Sequence, residues 1–216
     1  MSVIKGMWAE ELYSEFTKPY YKELYNSCRE SKSGSPQPAT VFNTLATVPL
    51  EDTSVVILYD ICEDCHLQAE KLKHMNFDLF RALANVDEAQ QFYSKQDVLL
   101  YNISQFYVQG NLFYRTPMSF YKFANAVVTT LARQDRPLVV LLLGNSVYKY
   151  KGYFYNPKHL ILSAPLSSST IQVRGSNQTI GDSKVQAFGG QSILQKCNRF
   201  LINNNLRPIQ WSCTEV

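Results

Sequence analysis

The sequence predicts an α/β protein: a three-layer α/β/α sandwich with a central, mainly parallel four-stranded sheet. Three observations carry that expectation. Four runs, Ser54–Tyr59, Val98–Ile103, Leu138–Leu143 and His159–Ser163, are nearly continuous in apolar residues, as strands covered on both faces of a parallel sheet are. Helical periodicities separate the runs, and that alternation favours crossovers through helices. A chain of 216 residues with 45% hydrophobic and 18% charged residues suffices for one ordinary core and is short for two. A single domain over residues 1–216 is therefore expected.

Each element has its own signal. Trp8, Leu12, Phe16, Tyr20 and Leu24 recur at helical spacing, and Pro19 should split or kink that helix. Ser31–Pro38 (SKSGSPQP) reads as a loop by composition. The first strand follows, then a short helix through Phe77, Phe80 and Leu83, then the second strand. Just past Pro117, Phe120, Phe123, Val127 and Leu131 mark a longer helix before the third and fourth strands. Ile193, Leu194, Cys197 and Leu201 mark a final helix, ended by Asn203–Asn205.

Composition narrows the function classes. No apolar run approaches the roughly 20 residues of a membrane helix, so no membrane partner is expected. The first 16 residues lack an apolar signal core and carry Glu10, Glu11 and Glu15. Five cysteines without a signal suggest free thiols in an intracellular, reducing compartment. Charge is uneven: residues 1–132 hold 11 Lys+Arg against 15 Asp+Glu, a net of −4, and residues 133–216 hold 10 against 3, a net of +7. A basic half fits a polyanion-facing side or an ordinary lopsided surface.

Ligands of parallel sheets bind at the carboxyl ends of the strands. The segments to inspect are therefore Asp60–His66, Asn102–Tyr107, Gly144–Lys151 and Ala164–Gly175. Cys62, Cys65 and His66 spell C-x-x-C-H, a spacing used for haem attachment, zinc or redox chemistry. A lone pair of this kind has no second pair at ligand spacing, so no metal is expected and the thiols read as incidental. No phosphate-binding loop, dinucleotide fingerprint or nucleophile elbow is present. Tyr101, Phe106, Tyr107, Phe113 and Tyr114 cluster around the second strand, to stack on bases, to form a partner interface or to pack in the core.

Six segments, in order from Phe16 to Trp211, resemble the uracil-DNA glycosylase family of the family-1 type. FTKPYYKELY (16–25) is similar to the family's GKPYF helix and SPQPATVF (35–42) to its Pro-rich loop. EDTSVVIL (51–58) is similar to the strand before the first motif, and SKQDVLLYN (94–102) to AKQGVLLLN. LVVLLLGNSVYKYKG (138–152) resembles LVFLLWGSYAQKKG, and LRPIQW (206–211) resembles KPIDW. The resemblance implies the sandwich fold, a hydrolytic reaction on DNA and no cofactor.

It also implies which residues matter. With a one-residue gap, Asp60 falls on the family's water-activating aspartate; without the gap, Ile61 falls there. Asn102 falls on the asparagine that reads uracil's amide edge, where an amide offers donor and acceptor side by side; its other reading is a strand-end cap. The family motif G-Q-D-P-Y-H is otherwise missing after the first strand. The Phe on which uracil stacks has no visible counterpart between Tyr59 and Asn102. Pro165 falls where the family has a histidine that stabilises charge on uracil O2, and Ser169 falls where a bulky apolar residue enters the duplex. By analogy with oxyanion-hole donors, loss of the histidine would cost on the order of 3–4 kcal/mol of transition-state stabilisation.

Phosphate contact is less demanding than catalysis. Gly144, Asn145, Ser146, Lys149 and Lys151 after the third strand could hold a DNA backbone through amides, hydroxyls and cations, as could Ser167, Ser168, Ser169, Thr170 and Arg174 after the fourth. The expectation is a catalytically degenerate relative that binds DNA, a protein partner or both, in an accessory role in DNA replication or repair, at the nucleus or another site of replication. Poxviral family members in a polymerase processivity complex set the precedent and suggest a viral source. One alternative is a weak uracil-DNA glycosylase using Asp60 and Asn102. A second is a protein–protein scaffold without DNA binding.

Overall fold

The computed structural model describes residues 4, 6–30, 44–60, 86–103, 118–144, 146–164 and 192–211. In chain order its elements are α1 (Met7–Glu11), α2 (Tyr13–Phe16), α3 (Pro19–Glu30), β1 (Val55–Tyr59), α4 (Val86–Ser94), β2 (Val98–Asn102), α5 (Met118–Ala132), β3 (Leu138–Leu143), a 3-10 helix (Tyr148–Tyr153), β4 (His159–Ala164) and α6 (Ser192–Asn203).

The four apolar runs are four strands, as their composition predicts, with bounds displaced by no more than a residue at each end. They form one sheet in the order β2-β1-β3-β4, and all three neighbouring pairs are parallel. β1 and β3 are buried along their whole lengths, which is why they read as unbroken Val/Leu/Ile. β4 is an edge strand and half-exposed through its middle.

Strand alternation divides the core in two. Val56, Leu58, Leu99, Tyr101, Val140 and Leu142 face one side, where they meet Trp8, Leu12 and Leu24 of the N-terminal helices and Phe120, Phe123 and Val127 of α5. Val55, Ile57, Leu100, Val139 and Leu141 face the other, against Ala89 and Tyr93 of α4, Cys197 and Leu201 of α6, and Ile209. Helices thus cover both faces, and the three-layer sandwich is the observed fold.

Pro19 divides the N-terminal pattern by starting α3; at the first helical position its missing N–H costs nothing. The Trp8 indole donates to Val48 O at 3.0 Å, tying α1 to the segment before β1. α6 ends where Asn205 adopts φ 57° and Leu206 N donates back to Leu201 O at 2.8 Å, a left-handed stop that asparagine tolerates. Of the elements named above, α4 and the 3-10 helix were not anticipated. The helix expected through Phe77, Phe80 and Leu83 lies outside the described residues. No helix among the described residues is long and apolar enough to cross a membrane.

Candidate functional site

The connections of a 2-1-3-4 sheet diverge at β1 and β3, and the carboxyl ends of those strands open a crevice at that switch point. Tyr59 is in register with both Asn102 and Leu143, and Leu143 with Ala164. All four strands therefore end level, and the residues that follow form one rim. Asp60, Asn102 and Gly144 stand on it together. Adjacent strands lie about 4.8 Å apart, so the three come from neighbouring backbones.

Asp60 continues the alternation of Val56 and Leu58 and belongs to the α5 face. It is half-buried, and its Oδ1 is buried without a hydrogen-bond partner among the described residues. Asn102 follows Val98 and Leu100, so it belongs to the α4/α6 face and is half-buried. The carboxylate and the amide approach the rim from opposite faces of the sheet, with the β1–β2 edge between them. The ladder runs one bond past the strands, Ile103 N donating to Tyr59 O at 2.9 Å, which holds both residues at fixed height.

Gly144 has φ 106°, a conformation that side chains disfavour. Its N–H donates to Ala164 O at 2.9 Å. That amide is committed to the β3–β4 ladder, so the role of Gly144 at the rim is to turn the chain sharply. The turn delivers the 3-10 helix, whose Tyr150 is fully buried and whose Lys149 and Lys151 are exposed. Lys149 Nζ lies 5.1 Å from the Tyr121 ring centroid and 5.2 Å from that of Tyr150. Lys151 Nζ lies 5.6 Å from the ring of Tyr148, which is half-exposed. Cation–π contact aims both ammonium groups while leaving their charge available. Ser146 is exposed on the same turn.

Burial pushes the Tyr150 hydroxyl up to about 12, with the neighbouring Tyr153, Tyr121 and Asp60 adding to it. Burial, with Tyr150 and Tyr20 nearby, pushes the Tyr101 hydroxyl up as well. Both phenols are neutral at physiological pH. Tyr101 is a core residue at the sheet; Phe106, Tyr107, Phe113 and Tyr114, grouped with it in the sequence, lie outside the described residues. So do Asn145, Ser167, Ser168, Ser169, Thr170 and Arg174, and also Pro165, Cys62, Cys65 and His66. Among the described residues no group of three His, Cys, Asp or Glu could hold a metal ion. Sequence reasoning missed the Tyr101 and Tyr150 hydroxyls: it grouped Tyr101 with an aromatic cluster and gave Tyr150 no reading of its own.

A three-layer sandwich with an aspartate after its first strand and an asparagine at the end of its second has full-length relatives. The chain is 28% identical over 237 residues to a uracil-DNA glycosylase of Agathobacter rectalis, covering 100% of both chains. It is equally similar to one of Lachnoclostridium phytofermentans, and 26% identical to one of Azotobacter vinelandii over 98% of this chain and 95% of that one. These relatives support the uracil-DNA glycosylase family. No family model matches the chain.

Solved structures agree on the fold. Mimivirus uracil-DNA glycosylase superposes with a TM-score of 0.66 at 17% identity, covering 95% of this chain and 86% of that one. A substituted mimivirus UNG in complex with UGI gives 0.68, covering 97% and 89%, also at 17% identity.

Proposed function

We propose that the protein is a slow uracil-DNA glycosylase, hydrolysing the N-glycosidic bond of deoxyuridine in DNA. The observation that carries this reading is the pairing at the rim: Asp60 stands one residue past the register partner of Asn102. The relatives that span the chain end to end are named for the enzyme, which favours activity over its loss. Asp60 orients a water toward C1′ of the deoxyribose. As the C1′–N1 bond breaks, the electron pair leaves with uracil; the water forms the C1′–OH bond, and its proton passes to the medium. Asn102 holds the departing base by its amide edge. No cofactor enters these steps.

Binding without cleavage is the second reading, favoured by Pro165 at the position of the family's histidine. Proline offers no donor to a developing oxyanion. Under that reading Lys149 and Lys151 hold a DNA backbone, in an accessory role in replication or repair, or the rim serves a protein partner.

Single-turnover cleavage of a uracil-containing single strand by excess protein separates the two. Cleavage that Asp60→Asn and Asn102→Ala each abolish is the expected result. A wild-type protein that retains DNA in a salt-sensitive way and never cleaves overturns it in favour of binding. Pro165→His is expected to raise the rate, since it restores a donor.

A further inference from the structure

Among the described residues, three buried polar atoms at the carboxyl end of the α5 face lack a hydrogen-bond partner: Asp60 Oδ1, the Tyr101 hydroxyl and the Tyr150 hydroxyl. An isolated orphan of this kind is destabilising, and buried polar groups are rarely left so. These three converge. Tyr101 is in register with Leu58, and Asp60 lies two residues beyond Leu58 on the same face, so the two are diagonal neighbours across β1 and β2. Tyr150 comes from the 3-10 helix and belongs to the same core cluster as Leu58 and Tyr101. Asp60 and Tyr150 act on each other electrostatically, as do Tyr150 and Tyr101.

We propose that Tyr150 is a positioning residue for Asp60: the two tyrosine hydroxyls and the carboxylate share one bridging water, and that bridge fixes the carboxylate at the rim. The chemistry matches. Two phenols can each donate or accept, an ionised carboxylate only accepts, and one water with two to four polar partners is an ordinary buried water. Neither Tyr101 nor Tyr150 is exposed, so neither meets DNA; both act through Asp60. The catalytic consequence rests on the glycosylase reading, whereas the cluster itself does not.

The test is a double-mutant cycle in urea unfolding with Asp60→Asn, Tyr150→Phe and the pair, since Phe keeps the ring and removes only the hydroxyl. Coupled residues are non-additive: Tyr150→Phe is expected to lower the midpoint in the wild-type background and by less than half as much beside Asp60→Asn. Equal shifts in both backgrounds overturn the bridge. Single-turnover cleavage and DNA retention are read on the same proteins. Tyr150→Phe is expected to slow cleavage about tenfold, the size of a hydrogen bond to a charged group, with retention unchanged. An unchanged rate, or a parallel loss of retention, overturns the positioning role. A non-additive cycle in a protein that never cleaves removes the glycosylase reading and leaves the cluster standing.

Discussion

Asp60 and Gly144 follow directly on Tyr59 and Leu143, which are register partners across β1 and β3. The carboxylate and the turn therefore flank one crevice, and the turn's geometry decides where the 3-10 helix and Tyr150 fall. Gly144 has φ 106°, where a Cβ is strained by about 1–2 kcal/mol. Gly144→Ala is expected to cost at least that in urea unfolding and, on the glycosylase reading, to slow cleavage further than the lost stability explains by displacing Tyr150. A variant as stable as wild type would show that the turn relaxes.

Lys149 and Lys151 are exposed cations held over tyrosine rings. Counterion release sets a slope of about 0.7 in log affinity against log salt for each single-strand phosphate contact. Replacing both lysines by alanine is expected to lower the slope of DNA retention by about 1.4, with little change in unfolding midpoint. An unchanged slope would take both residues off the DNA path.

The strands were legible because burial on both faces leaves no polar positions, and Val55–Tyr59 and Leu138–Leu143 show the pattern undiluted. α5 was legible through Phe120, Phe123, Val127 and Leu131, all fully buried. α4 was not: its described buried positions are Ala89 and Tyr93, one turn apart, and a single apolar pair sets no period. The 3-10 helix was hidden differently. Its Tyr-Lys-Tyr-Lys alternation has the period of a strand, and only tertiary packing selects Tyr150 for burial. Asp60 and Asn102 could be found because position after a strand is itself a signal in parallel sheets. The orphaned hydroxyls could not, since a core tyrosine looks the same whether or not its oxygen finds a partner.

His159 sits at the opposite, amino edge of the sheet. Its Nε2 lies 2.9 Å from Gln134 O, and its ring meets Phe154 edge-on. Burial holds its pKa below the ordinary value of 6.5; the Arg136 charge acts the same way, against the Gln134 carbonyl and Asp135. A lowered value means the fold prefers the neutral ring. The stabilisation is present in full above pH 6.5 and is lost as pH falls through the folded value, because the unfolded chain takes up the proton first. Unfolding midpoints at about pH 8 and about pH 5 are expected to differ less in His159→Gln, which keeps a donor for Gln134 O, than in wild type. Equal differences would place the acid sensitivity elsewhere.

The C-terminal segment is held by two side-chain amides that act like short pieces of strand. Asn198 donates to Ile209 O at 2.9 Å and accepts from Ile209 N at 2.9 Å and from the Trp211 indole at 3.2 Å. Gln96 pairs in the same way with Gln210, at 3.2 Å and 2.7 Å. Each amide matches a peptide's donor and acceptor at once, and Ile209 then closes the α4/α6 core. Asn198→Ala removes three bonds and leaves part-buried backbone groups unpaired, so a loss of about 2–3 kcal/mol is expected. Asn198→Asp keeps the acceptor and loses the donor, and should fall between alanine and wild type. Thermal unfolding followed by far-UV circular dichroism separates the three. An alanine variant that unfolds with wild type would mean the segment is held by Ile209 packing alone.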